Sequence, residues 1–244
     1  MKSILLLVLS ALLAACAGNG SNTNLAIAPV PESDLLQVQG SHFDRFVVKD
    51  PAVFGGFDKV IIFAVQFDKL KISTAADKSL AKSWNSSNWD DMDTICQQFD
   101  DFALKIFKER DGFKPTDRGA ENVLAMEFSL IKFMPFSKPY KEAGLDSVGT
   151  SSGFSGIGDV TIRAVLANAK TGELVGVIED TMEVNANNAS FGNLNMQMDG
   201  NNKMGQMLAW RKVFKRWVSS LHDELGQLKQ QSFATAALKN QATQ

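Results

Sequence analysis

The chain is short of the residues on which many chemistries depend. Its 244 residues include two cysteines and two histidines. So few cysteines exclude a disulfide framework. Two separated histidines, His42 and His222, with so little cysteine make no zinc-ligand set. An excess of charge of one sign is also missing: 25 basic side chains stand against 27 acidic ones. That balance lacks the clustered basic surface that nucleic acid calls for. A long hydrophobic run is absent too. Ile4–Leu13 is apolar, but a membrane-crossing helix needs about 20 such residues. No cofactor-binding motif stands in its required context, and no cofactor is expected.

What is there begins at the N-terminus. Lys2 supplies a basic start, Ile4–Leu13 the apolar core, and Ala14 and Ala15 a small-residue cleavage site. Leu13-Ala14-Ala15-Cys16 resembles the lipobox of bacterial lipoproteins. The resemblance implies diacylglycerol on the Cys16 thiol, cleavage between Ala15 and Cys16, and acylation of the new amine. Several acyl chains give stable membrane anchoring. Ala17 in place of Asp implies the outer membrane, periplasmic leaflet, for a Gram-negative source. An ordinary secretory signal with a coincidental cysteine is the alternative. With Cys16 lipidated, Cys96 stands alone, on the apolar stripe of a predicted helix, as a small buried hydrophobe.

The organisation expected is a signal peptide over 1–15, a lipidated cysteine and flexible tether over 16–40, one α/β domain over 41–228, and a frayed polar tail over 229–244. Residues 41–56 read as an irregular lead-in. Lys59–Phe67 is the first strand, apolar on both faces and so central. Trp89–Arg110 has one apolar stripe and reads as a helix, with Asp90, Asp91 and Asp93 at its start, where carboxylates favour the helix dipole. Val123–Met134, Asp159–Ala169 and Glu173–Val184 read as strands, the last two joined by a tight turn. Lys203 to about Leu228 is the second long helix. The 137–158 and 185–202 stretches are rich in small polar residues and glycine.

The order β-α-β-β-β-α predicts a two-layer α/β sandwich of the α+β kind. A mixed four-stranded sheet would carry both helices on one face and show Glu127, Arg163 and Glu179 on the other. Lys59-Val-Ile-Ile, Asp159-Val-Thr-Ile-Arg-Ala, Lys170-Thr-Gly-Glu and Trp210-Arg-Lys-Val-Phe-Lys-Arg-Trp together look like a family of proteobacterial lipoproteins of unknown function. The resemblance spans roughly residues 40–228. It implies a domain similar to those of envelope-assembly lipoproteins and supplies no catalytic residues.

Three patterns invite a chemical reading. Gly149-Thr150-Ser151-Ser152-Gly153 matches G-x-S-x-G, but a nucleophile elbow sits between a strand and a helix, whereas this one precedes a strand. Gly153, Gly156 and Gly158 fail the strand–loop–helix context of a phosphate loop and suit a turn or bulge. Asp90, Asp91 and Asp93 lack the ligand series of a calcium loop and suit helix capping. On the last helix, Arg211, Lys212, Lys215 and Arg216 form pairs four apart. They read either as a solvated face or as a basic strip for anionic headgroups or an acidic partner. Trp210 beside them is expected to be exposed, as an interface anchor.

The expected function is a non-enzymatic, lipid-anchored periplasmic binding or assembly module of the cell envelope, with an envelope protein as partner. The alternatives are a serine hydrolase using Ser151 and a carrier of a small apolar ligand between sheet and helices.

Overall fold

In the computed structural model, residues 34–75, 77–86, 90–139, 156–185 and 203–242 are described. Among them are eight strands in one mixed sheet. They are β1 (Leu36–Gln37), β2 (Arg45–Val48), β3 (Lys59–Ile62), β4 (Lys71–Ile72), β5 (Lys114–Pro115), β6 (Val123–Pro135), β7 (Gly158–Asn168) and β8 (Leu174–Val184). The helices are α1 (Lys78–Ser86), α2 (Asp90–Glu109) and α3 (Lys203–Ala242), with a 3-10 helix at Pro51–Gly56. The sheet order is β1-β2-β8-β7-β6-β3-β5, and β4 pairs with β6 beyond the end of β3. The α+β class stands. The four-stranded sheet is corrected to eight strands, because four short strands extend its edges.

Three long strands form the centre. β6 and β7 are antiparallel, as are β7 and β8. The β7–β8 turn has Gly172 at φ 70°, a backbone conformation natural to glycine. Asn168 Oδ1 accepts the N–H groups of Lys170 and Thr171 to close it. β3 runs parallel to β6, as a helical crossover requires, and is flanked by β6 and β5. It is shorter than Lys59–Phe67. Past Ile62 only an isolated bridge from Gln66 to Ser129 continues the pairing. The β7–β8 pairing carries one irregularity: Leu166 pairs with Gly176 and Ala167 with Leu174. Val175 and Ile178 therefore join the helix-side core, while Leu174 and Val177 pack on the other face.

The helices cover one face. Leu124, Met126, Phe128, Leu130 and Phe133 of β6 share a single core with α2 and α3. Leu130 and Phe133 share that face because β6 shifts register between Leu130 and Lys132. Trp217 is the hub. Its ring lies 5.3 Å from Phe43, 6.0 Å from Phe99 and 5.8 Å from Phe128, and so ties the lead-in, α2 and β6 together. Such ring pairs add about 0.5–1.5 kcal/mol each beyond their buried area. The opposite face bears Glu127 and a charged row in which Glu179 meets Arg163 at 3.4 Å and Arg45 at 3.8 Å.

Two further expectations are corrected, and one helix is added that the sequence reading did not mark. Residues 41–56 are not irregular: β2 buries Phe46 and Val48 on the helix side and pairs with β8. The 78–86 segment is a helix capped by Asp77, whose carboxylate accepts the N–H groups of Ser79 and Leu80. The tail from Lys229 is not frayed. α3 runs on to Ala242, and the 3-10 helix packs along it. Gly55 makes that approach possible, since a Cβ there would collide with Ser232 Oγ.

Candidate partner surface on the last helix

The helical repeat of α3 decides which of its side chains face out. Trp210, Val213, Phe214, Trp217, Val218, Leu221 and Leu225 are buried, at the three- and four-residue spacings of one face. Trp210 belongs to that face because it precedes Phe214 by four residues and Trp217 by seven. Its ring packs 5.4 Å from Phe133 and 5.5 Å from Phe214, at 0% exposure. Trp210 is therefore a core residue, and its expected role as an exposed interface anchor is overturned. Met207 and Leu208 are only half-buried.

Arg211, Lys212, Lys215 and Arg216 are all exposed and form one strip along the outer surface. Arg211 leans toward α2, with its guanidinium 5.2 Å from the centre of the Phe102 ring. Arg216 lies on the other flank, where its charge bears on Asp180 of β8. Burial pushes the Asp180 carboxyl up to about 6; the backbone N–H of Asp44 and the charge of Arg216 oppose this, and the charges of Asp44 and Glu224 add to it. Between α2 and α3 the surface sinks into a groove of about 400 Å³ lined by Gln98, Phe102, Met207, Leu208 and Arg211, among others.

One contact near the strip joins distant parts of the chain. Glu224, buried on α3, accepts the His42 backbone N–H at 2.8 Å and meets His42 Nδ1 at 3.1 Å. The 182-residue separation leaves no local signal for it. The other histidine is buried: His222 packs 5.0 Å from Phe107 and 6.3 Å from Phe113. Neither of its ring nitrogens has a hydrogen-bond partner, and Asp223 stands 3.6 Å away. Burial, and then the charge of Arg110, hold its pKa below the ordinary value.

The remaining sequence candidates are dispersed. Cys96 is buried, and burial followed by Asp100 and Asp93 pushes its thiol pKa up, so it is no nucleophile. Asp91 is buried at the start of α2, and Asp93 is exposed. Among the described residues no group of three or more His, Cys, Asp or Glu side chains could hold a metal ion. No described helix is long and apolar enough to cross a membrane. Ala15, Cys16, Gly149, Ser151 and Gly153 lie outside the described residues. The layer between sheet and helices, where the alternative reading would place a small apolar ligand, holds Trp210, Trp217, Phe99, Phe128 and Phe214.

No protein-family model and no curated protein matches the chain. Solved structures do. A Xanthomonas campestris protein of the DUF330 family is 8% identical, with a TM-score of 0.40 over 72% of this chain and 88% of that one. PelC from Paraburkholderia phytofirmans, a dodecamer, is 8% identical, with a TM-score of 0.33 over 68% of this chain and 88% of its own. A hypothetical protein from Chlamydia trachomatis is 8% identical, with a TM-score of 0.32 over 67% and 97%. Likeness at this level transfers no function to this chain.

Proposed function

We propose that the chain is a lipid-anchored lipoprotein of the outer membrane, facing the periplasm, and a non-enzymatic binding or assembly module of the cell envelope. Cys16 carries the acyl chains, and the outer face of α3 meets an envelope protein. The observation that carries the docking reading is the exposed strip Arg211, Lys212, Lys215 and Arg216 on a helix whose other face is locked in the core. A rigid support holds the four cations in fixed spacing. They raise the local concentration of an acidic partner and orient it as it arrives. The outer edge strands are less suited to strand addition. β1 and β5 are two residues each, too short to template an added strand.

Two experiments test this reading. Palmitate labelling of the expressed chain is expected to be lost in Cys16→Ser; retained label would remove the anchor. Crosslinking in intact envelopes is expected to trap one dominant partner with the anchored chain. Arg211→Glu with Lys215→Glu should abolish that product. An undiminished product excludes the helix surface, and no product at all excludes the docking role.

A further inference from the structure

The groove between α2 and α3 carries a more specific chemistry than the strip beside it. Phe102, Met207 and Leu208 form an apolar wall, and Arg211, Lys105 and Asp101 stand around it. Arg211 is the unusual member. Its guanidinium lies over the Phe102 ring, 5.2 Å from the ring centre. Among the described residues no carboxylate closes on it, although Asp101 lines the same groove. Lys105 reaches Glu109 only at 3.9 Å, in an exposed pair of little strength. Gln98 adds a buried Oε1 with no hydrogen-bond partner. The volume of about 400 Å³ is within the range of small-molecule sites.

We propose that this groove binds a free single-chain amphiphile with an anionic head. The alkyl chain lies along Phe102, Met207 and Leu208, and a carboxylate takes the open N–H edge of Arg211. The contact with Phe102 restricts the guanidinium beforehand, so that less freedom is lost on binding. Each methylene buried against the wall adds to the affinity. A head-only ion therefore gains too little, and a neutral chain leaves Arg211 unmatched. Asp101 opposes the anion and sets a limit on affinity. The proposal does not depend on a partner docking along the strip. Lys215→Glu, which would weaken docking, should leave ligand binding unchanged.

The test is titration of octanoate into the full chain, followed by NMR of its methionine methyl groups, with Met207 assigned through Met207→Leu. A saturable shift confined to Met207 is expected, with a Kd of the order of 1 mM. Acetate and 1-octanol should bind at least about tenfold more weakly. Arg211→Gln should weaken octanoate by about tenfold, whereas Asp101→Asn should tighten it. The opposite signs of two neighbouring surface changes separate a binding site from loss of fold. Equal binding of octanoate and 1-octanol overturns the proposal. So does an unchanged affinity in Arg211→Gln, looser binding in Asp101→Asn, or no saturable shift.

Discussion

His42 and Glu224 meet through two contacts to one oxygen: the backbone N–H of His42 at 2.8 Å and its ring Nδ1 at 3.1 Å from Glu224 Oε1. The two residues sit very differently. The His42 side chain is 80% exposed and that of Glu224 6%. The carboxylate therefore acts as a fixed acceptor buried in α3, onto which the segment before β2 is fastened.

Removing the acceptor should cost more than removing the ring. Glu224→Ala strands the His42 N–H and is expected to destabilise the protein by about 1–3 kcal/mol. His42→Ala leaves that N–H bond in place and should cost less than about 1 kcal/mol. Thermal melts of both variants decide this; equal losses would mean that the backbone bond contributes nothing.

Trp210 yields a prediction that separates core from interface. Trp210→Ala should cost about 3–5 kcal/mol in urea unfolding, as an emptied core site does. Its buried Nε1 has no partner. Trp210→Phe therefore sacrifices no hydrogen bond and should cost less than half as much. A Trp210→Ala protein of unchanged stability would restore the residue to the surface.

Acid and base act on this fold through groups of opposite sign. Asp100 accepts the Val65 N–H at 2.8 Å, and burial pushes its carboxyl up to about 6. The folded chain then holds a proton that the unfolded chain releases between the ordinary value of 3.8 and about 6. Its contribution to stability falls as pH rises through that window. Asp100→Asn keeps an acceptor for Val65 and removes the ionisation. It should be more stable than the parent at pH 8 by about 1 kcal/mol, allowing for solvent screening of a half-exposed group. The difference should vanish by about pH 4. A constant difference at both pH values would refute the assignment.

His222 works the other way. Its folded pKa is below the ordinary 6.5, so the unfolded chain takes up the proton first as pH falls. Its contribution is complete above 6.5 and is lost toward lower pH. The ring proton resonance of His222 should titrate with a midpoint below 6.5; a midpoint above that value would be inconsistent with its aromatic surroundings.

Gly55 and Ser232 form a coupled pair. In Gly55→Ala the new methyl meets Ser232 Oγ, which already donates to Lys229 O at 2.7 Å. Overpacking of this kind costs about 1–3 kcal/mol. Ser232→Ala in the same chain should recover most of it, and a double-mutant cycle measures the coupling. Additive effects would show that the two segments do not touch as described.

The long elements were legible because their periods are long. α2 spans 20 residues, and its buried apolar positions 92, 95, 96, 99, 103, 106 and 107 all lie on the apolar stripe, whose remaining member, Phe102, is half-buried. The β7–β8 hairpin announced itself through its turn. β1, β4 and β5 are two residues each, and two residues have no period. β2 is a different case: Phe46 and Val48 alternate inward from Arg45 and Val47, a signal hidden by its short length. α1 escaped because its apolar residues are few, although Asp77 followed by Ser79 was a readable cap. Trp210 was misplaced even with the stripe centred on Phe214 and Trp217, because a residue four and seven positions before them shares their face and is buried with them. The groove between α2 and α3 depends on how two helices pack, and no linear pattern specifies that.

The edge of the sheet has a mechanical consequence. The chain enters through the two-residue β1, which is held only by β2, and β2 in turn is held by β8 over four residue pairs. Tension arriving from residues ahead of β1 would peel β1 away first, one ladder bond at a time. The pull would then reach His42, where the load passes through Glu224 into the 40-residue α3. Glu224 therefore acts as a strain relief between a pulled lead and the β2–β8 pairing behind it.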